Sequence, residues 1–174
     1  MDKSPWSVPV SVDDIPDSGR HMEIEAPETT RAAVAELAGV RELPHLTATF
    51  DLTKMGAGVH AVGHVSARVG QTCVVTLDPV ENRVEEAIDL RFSPHVMPPA
   101  VDAPKVARTE EDLEPLVGGV IDLGAVATEF LLLGIDPYPR KPDAAFTPPA
   151  READGPHPFA ALETLKKRLP DGQH

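Results

Sequence analysis

The chain has 174 residues, 28 of them acidic and 16 basic, for a formal charge of −12. That is enough for one domain of ordinary size, and a field of this sign opposes autonomous binding to phosphate backbones. A single cysteine, Cys73, excludes an internal disulfide and a multi-cysteine zinc site within the chain, and no apolar stretch approaches the ~20 residues of a membrane span.

In chain order, the loose alternation of Val8, Val10 and Val12 predicts a strand between Trp6 and Pro16, and a second short strand is expected over His21 to Glu25. Pro27 to Gly39 reads as a helix, with a proline suited to the first turn, an early acid, an alanine-rich interior and a terminal glycine. Val34, Leu37 and Ala38 are its expected core-facing edge. Leu46 to Leu52 alternates with period two, the signature of a half-buried strand. Past the turn at Gly56 and Gly58, Val59, Ala61, Val65, Ala67 and Val69 fall on one face of a longer strand, with His60, His64, Ser66 and Arg68 on the other. A reversal at Gly70-Gln71 is expected to lead into a strand over Thr72–Leu77, and another at Asp78 to Asn82 into Arg83–Phe92. Residues 93–115 hold five prolines and the acidic run Glu110, Glu111, Asp112 and Glu114, which predicts a mobile acidic loop. Asp122 is a suitable N-cap for a helix built on Leu123, Val126, Ala127, Phe130 and Leu131 and ending at Gly134. Residues 136–157 are again rich in proline, and a short amphipathic helix is expected from Pro158, using Phe159, Leu162, Leu165 and Leu169.

The chemistry-bearing residue types form no enzyme signature. On a strand, His60 and His64 lie about 13 Å apart at ~3.3 Å per residue, too far to share an ion, so they read as part of a solvated face. Cys73 alternates with Val75 and Leu77 and reads as a packed core thiol. The carboxylates show no spacing that singles out an acid-base pair, and the glycines form no phosphate-cradling loop. Aromatic side chains in polar or proline-rich surroundings remain, chiefly Tyr138 within Asp136-Pro137-Tyr138-Pro139-Arg140, and Trp6. Flanking prolines hold Tyr138 extended, which suits either docking to a partner or packing along its own domain.

Three blocks, in this order, resemble the bacterial YceD family, the large ribosomal RNA subunit accumulation proteins. They are the segment from Gln71 to Val80 around Cys73 and Pro79, with the strand ending Leu90-Arg91-Phe92; the segment from Gly118 to Pro142, with Asp122, Leu123, Glu129 and Pro137; and Pro158-Phe159 to Lys166. The resemblance implies a role in 23S ribosomal RNA accumulation and large-subunit assembly. Many members of that family carry a second cysteine three residues after the first. Thr76 stands at that place here, so the resemblance carries no zinc site to this chain.

The resulting expectation is a single α+β domain. It comprises an antiparallel meander sheet with a barrel-like curl, two covering helices, proline-rich loops at 93–115 and 136–157, and a C-terminal helix. The protein is expected to be cytoplasmic, to use no cofactor, and to act without catalysis by touching a basic ribosomal or assembly protein. The acidic run of Glu110, Glu111, Asp112 and Glu114 would supply the field, and Asp122, Glu129, Asp136, Pro137 and Tyr138 the docking surface. The alternative is direct contact with RNA through Arg83, Arg91, Arg140, Lys141 and Lys166 to Arg168. A hydrolase built on His60, His64 and scattered carboxylates is the remaining, least favoured class.

Overall fold

A computed structural model describes residues 4–96 and 113–146, all but the last two of which belong to the unit Met1–Ala144. The elements are β1 (Pro9–Ser11), β2 (Arg20–Glu25), α1 (Glu28–Ala38), β3 (Glu42–Met55), β4 (Gly58–Thr72), β5 (Pro79–Ser93), β6 (Leu113–Pro115), β7 (Val120–Asp122) and α2 (Leu123–Gly134). The expected helix from Pro158, with Phe159, lies outside the described residues, as do Glu110, Glu111 and Asp112.

Strands β2 to β5 pair in sequence as an antiparallel meander, and β6 adds parallel to the end of β5. The fold is α+β, but the five-stranded sheet is open, with β2 and β6 at its edges, and does not close into a barrel. A separate two-stranded ladder joins β1 to β7, antiparallel.

The long strands follow the alternation of their side chains. Val59, Ala61, Val65, Ala67 and Val69 of β4 are buried with Leu46, Ala48, Phe50 and Leu52 of β3, and with Val84 and Ile88 of β5. This inner face is covered by α2 across β4 and β5 and by α1 across β3. Gly63 interrupts the β4 series opposite Phe50 because the strands approach too closely there for a side chain; a Cβ would overlap the Thr49 carbonyl. The opposite face carries Thr49, His60, His64, Arg68, Arg83 and Asp89 and is polar.

Several local expectations are corrected. Only Pro9–Ser11 of the first predicted strand is extended, because Ser11 Oγ accepts from Asp13 N and starts a 3-10 turn over Val12–Asp14. Trp6 is not stranded in polar surroundings but is a core residue, 3% exposed. In α1, Pro27 occupies the N-cap, and the helix is rotated so that Arg31, Val34, Ala35 and Ala38 face inward while Leu37 is 57% exposed. The Arg31 guanidinium reaches the carbonyls of Ala26 and Leu43, an anchorage that the apolar spacing did not register. Strand β4 passes straight through Gly70-Gln71 to Thr72, and β5 starts at Pro79, so the one reversal between them is the loop Cys73–Asp78. The strand expected over Thr72–Leu77 does not exist. Leu113–Pro115 pairs with Arg91–Ser93 instead of belonging to a loop, and Leu116 N donates to Ser93 O.

Candidate interaction site

Two regions gather the residues singled out in the sequence. The first is a clasp around Cys73. Leu77 N donates to Cys73 O and Cys73 N to Asp78 O, which closes the β4–β5 loop, while Leu77 takes the left-handed conformation (φ 62°) and is 76% exposed. The segment after α2 is laid across this loop. Val74 N donates to Pro139 O at 2.9 Å, Gln71 Nε2 to Asp136 O at 2.8 Å, Asn82 Nδ2 to Gln71 Oε1 at 2.9 Å, and Lys141 Nζ to Asp78 Oδ2 at 2.9 Å. Two blocks more than sixty residues apart in the chain are thereby fastened together.

Cys73 is fully buried, as expected, but its neighbours differ from those expected. Its thiol is enclosed by the clasp, and it stands outside the contiguous hydrophobic core that fills the sheet interior. The Thr76 hydroxyl, followed by the N–H of Lys141, donates to the sulfur and lowers the thiol pKa to about 6. The groups bonded to the sulfur act as hydrogen-bond donors. Among the described residues, no group of three or more His, Cys, Asp or Glu side chains stands where it could share a metal ion. Asp78 is likewise held below the ordinary carboxylate range by Lys141 and Thr76.

The second region lies along α2. Asp122 is its N-cap: Oδ1 accepts from Ala125 N at 3.2 Å and Val8 N at 2.8 Å, and Oδ2 from Ser7 Oγ at 2.6 Å. Burial pushes this carboxyl up, but the Ser7, Val8, Ala125 and Gly124 donors outweigh it and hold the group below the ordinary range. Its oxygens are thus engaged within the fold. The first turn of α2 rests so closely on the N-terminal segment that a Cβ at Gly124 would lie 2.7 Å from Trp6 O. Leu123 is fully buried.

Beside this helix start lies an open groove of about 370 Å³ between α2, β5 and β6, with Leu90, Phe92, Val126, Phe130 and Leu133 among its lining residues. Glu114 and Glu129 both line it. Burial, then the Glu114 charge, raises the Glu129 pKa. Among the described residues no cation forms an ion pair with either carboxylate. Leu133 is 80% exposed and Val117 is 68% exposed at its edges.

Asp136, Pro137 and Tyr138 are exposed on the outside of the clasp, with Asp136 Oδ1 accepting from Tyr138 N. Pro79 is the exposed first residue of β5. His21, His60 and His64 are separate from both regions. His60 pairs with Asp89 and His21 with Asp51, each at 2.7 Å, and His64 Nδ1 lies 2.9 Å from Thr49 Oγ1, all on the polar sheet face. Sequence reasoning missed Gln71 and Asn82, whose polar identity inside a long strand was the available signal, and it missed that Glu114 and Glu129 face one groove.

Among the described residues, no helix is long and apolar enough to cross a membrane. No curated protein and no solved structure matches the chain. A family model, large ribosomal RNA subunit accumulation protein YceD, matches residues 61–166, from within β4 through the clasp and α2, and on that match the chain belongs to the YceD family.

Proposed function

We propose that the protein is a non-enzymatic factor that supports accumulation of 23S ribosomal RNA and assembly of the large ribosomal subunit, and that it acts by contact with a basic protein. Membership in a family of large ribosomal RNA subunit accumulation proteins supports the role. The observation that carries the mode of action is that carboxylates and exposed apolar side chains meet on one side of the fold, where Glu114 and Glu129 stand beside Val117 and Leu133. Such a surface attracts cationic proteins, speeds their encounter, and rejects phosphate. Glu110, Glu111 and Asp112 extend the same acidic segment in sequence.

A second reading, direct contact with RNA, draws on a different observation. The register sets Arg68 against Arg83 and His45 against Arg68, one basic row across the polar sheet face. Arg83 is ion-paired with Glu85, and Lys141 with Asp78, which lowers the net field each offers a phosphate. Arg83 and Arg91 are eight residues apart on β5, about 26 Å at ~3.3 Å per residue, and do not form one patch.

Deleting the gene tests the role: 23S RNA should fall relative to the small-subunit RNA and recover on complementation, and unchanged 23S RNA would refute it. The mode of action is tested by titrating the full chain with purified basic large-subunit proteins and with 23S fragments across a salt series. Binding to at least one protein, weakened by salt, is expected; tight binding to RNA with every protein ignored would establish the second reading instead.

A further inference from the structure

The groove beside α2 combines features that identify what it would hold. Apolar side chains form part of its walls, and its mouth is open; of the three carboxylates that line it, Asp122 is bonded within the fold, while Glu114 of β6 and Glu129 of α2 face it together. Like charges at such a place disfavour each other, and partial burial sharpens the effect because water screens them less. A cation placed between them relieves this, and a lysine or arginine also carries an aliphatic stem suited to the apolar wall formed by Phe130 and Leu133. An RNA phosphate would meet the same two carboxylates with the wrong sign. A second copy of this chain, itself at −12, would bring like charge to like.

We propose that the groove is a docking site for an apolar segment of a basic protein, with one lysine or arginine of that segment set between Glu114 and Glu129 and a neighbouring apolar side chain against Phe130 and Leu133. This rests on the protein-contact reading above and adds the place and the chemistry of recognition.

The test uses the full chain and purified basic large-subunit ribosomal proteins, titrated one at a time by calorimetry at fixed salt. Two double variants carry the same change in net charge: Glu114→Gln with Glu129→Gln in the groove, and Glu23→Gln with Glu25→Gln on exposed β2. A third variant, Leu133→Ser, removes apolar wall without touching charge, and thermal melting verifies that each variant folds. The groove double variant should weaken binding by about tenfold or more, Leu133→Ser by about fivefold, and the β2 double variant by less than about threefold. Equal weakening by the two double variants would overturn the groove while leaving the protein-contact reading standing. Failure of every basic protein to bind would overturn both. Self-association of the wild-type chain that the groove double variant abolishes would place a second copy in the groove and likewise overturn the proposal.

Discussion

The clasp and the α2 groove are built from similar residue types and use them in opposite ways. In the clasp, Gln71, Asn82, Asp78 and Lys141 are each bonded within the protein, and even the Cys73 sulfur is met by donors. In the groove, Glu114 and Glu129 face one space with no ion-pair partner among the described residues, beside apolar side chains left in solvent. A polar group satisfied internally holds the fold together, whereas one left beside exposed apolar surface is positioned to meet something else. The clasp therefore reads as the fastening that fixes where α2 ends, and the groove as the surface that this fastening presents.

Substitutions in the clasp are therefore expected to cost folding, and substitutions in the groove to cost binding. The largest expected effect is that of Gln71→Ala, a buried residue whose loss strips partners from the Asp136 carbonyl and the Asn82 amide. A loss of about 2–3 kcal/mol in denaturant unfolding is expected, with unchanged affinity in the folded fraction. Asp122→Ala comes next. It removes the α2 N-cap together with the Ser7 and Val8 bonds, and should cost about 2 kcal/mol. Because its carboxyl pKa is depressed in the fold, that contribution is present at neutral pH and is lost as pH falls through the acid range below the ordinary carboxylate value, so the variant should show a flatter acid limb.

Cys73 gives a smaller effect at neutral pH, one that grows as pH rises. Its pKa is lowered from 9.0 to about 6, so the folded state favours the thiolate and the stabilisation grows as pH rises between those values, then is lost as pH falls back through about 6. Unfolding midpoints from pH 6 to 9 should rise in the wild type and lie flatter in Cys73→Ala. An identical slope would show that the sulfur's donors contribute nothing. The smallest effect is on the groove side. Glu129 has a raised pKa, so the folded state binds its proton more tightly than the unfolded chain does, and ionisation at neutral pH opposes folding. Glu129→Gln should leave the protein equally stable or more stable, by at most about 1 kcal/mol given solvent screening, and a clear loss of stability would remove the distinction between the two regions.

What the sequence disclosed follows from the range of the interactions involved. The meander from β2 to β5, its buried face, and α2 with Asp122 as its cap were legible because they depend on period-two and period-3.6 patterns and on one local hydrogen bond. The Cys73 loop was misread as a strand because Val74, Val75 and Thr76 have strand propensity, while the bonds that curl them come from Asp78 and from Pro139, far along the chain. Trp6 is misplaced for a related reason: it precedes β1, whose partner β7 lies more than a hundred residues away, and its carbonyl rests against Gly124 of α2. Acidity near Glu114 and Glu129 was legible as composition, but their sharing of one groove depends on β6 pairing parallel to β5, which no short-range pattern encodes. Apolar periodicity predicted which side of α1 is buried only to within one residue, because a single guanidinium, that of Arg31, fixes the helix's rotation.

Docking in the α2 groove is tested by amide hydrogen exchange on the full chain, alone and saturated with a basic large-subunit protein found to bind it. New protection is expected over residues 113–133, on β6 and the groove side of α2, with little change in the already bonded clasp at 71–82. Protection confined to the clasp or to the polar sheet face, with α2 unaffected, would contradict it.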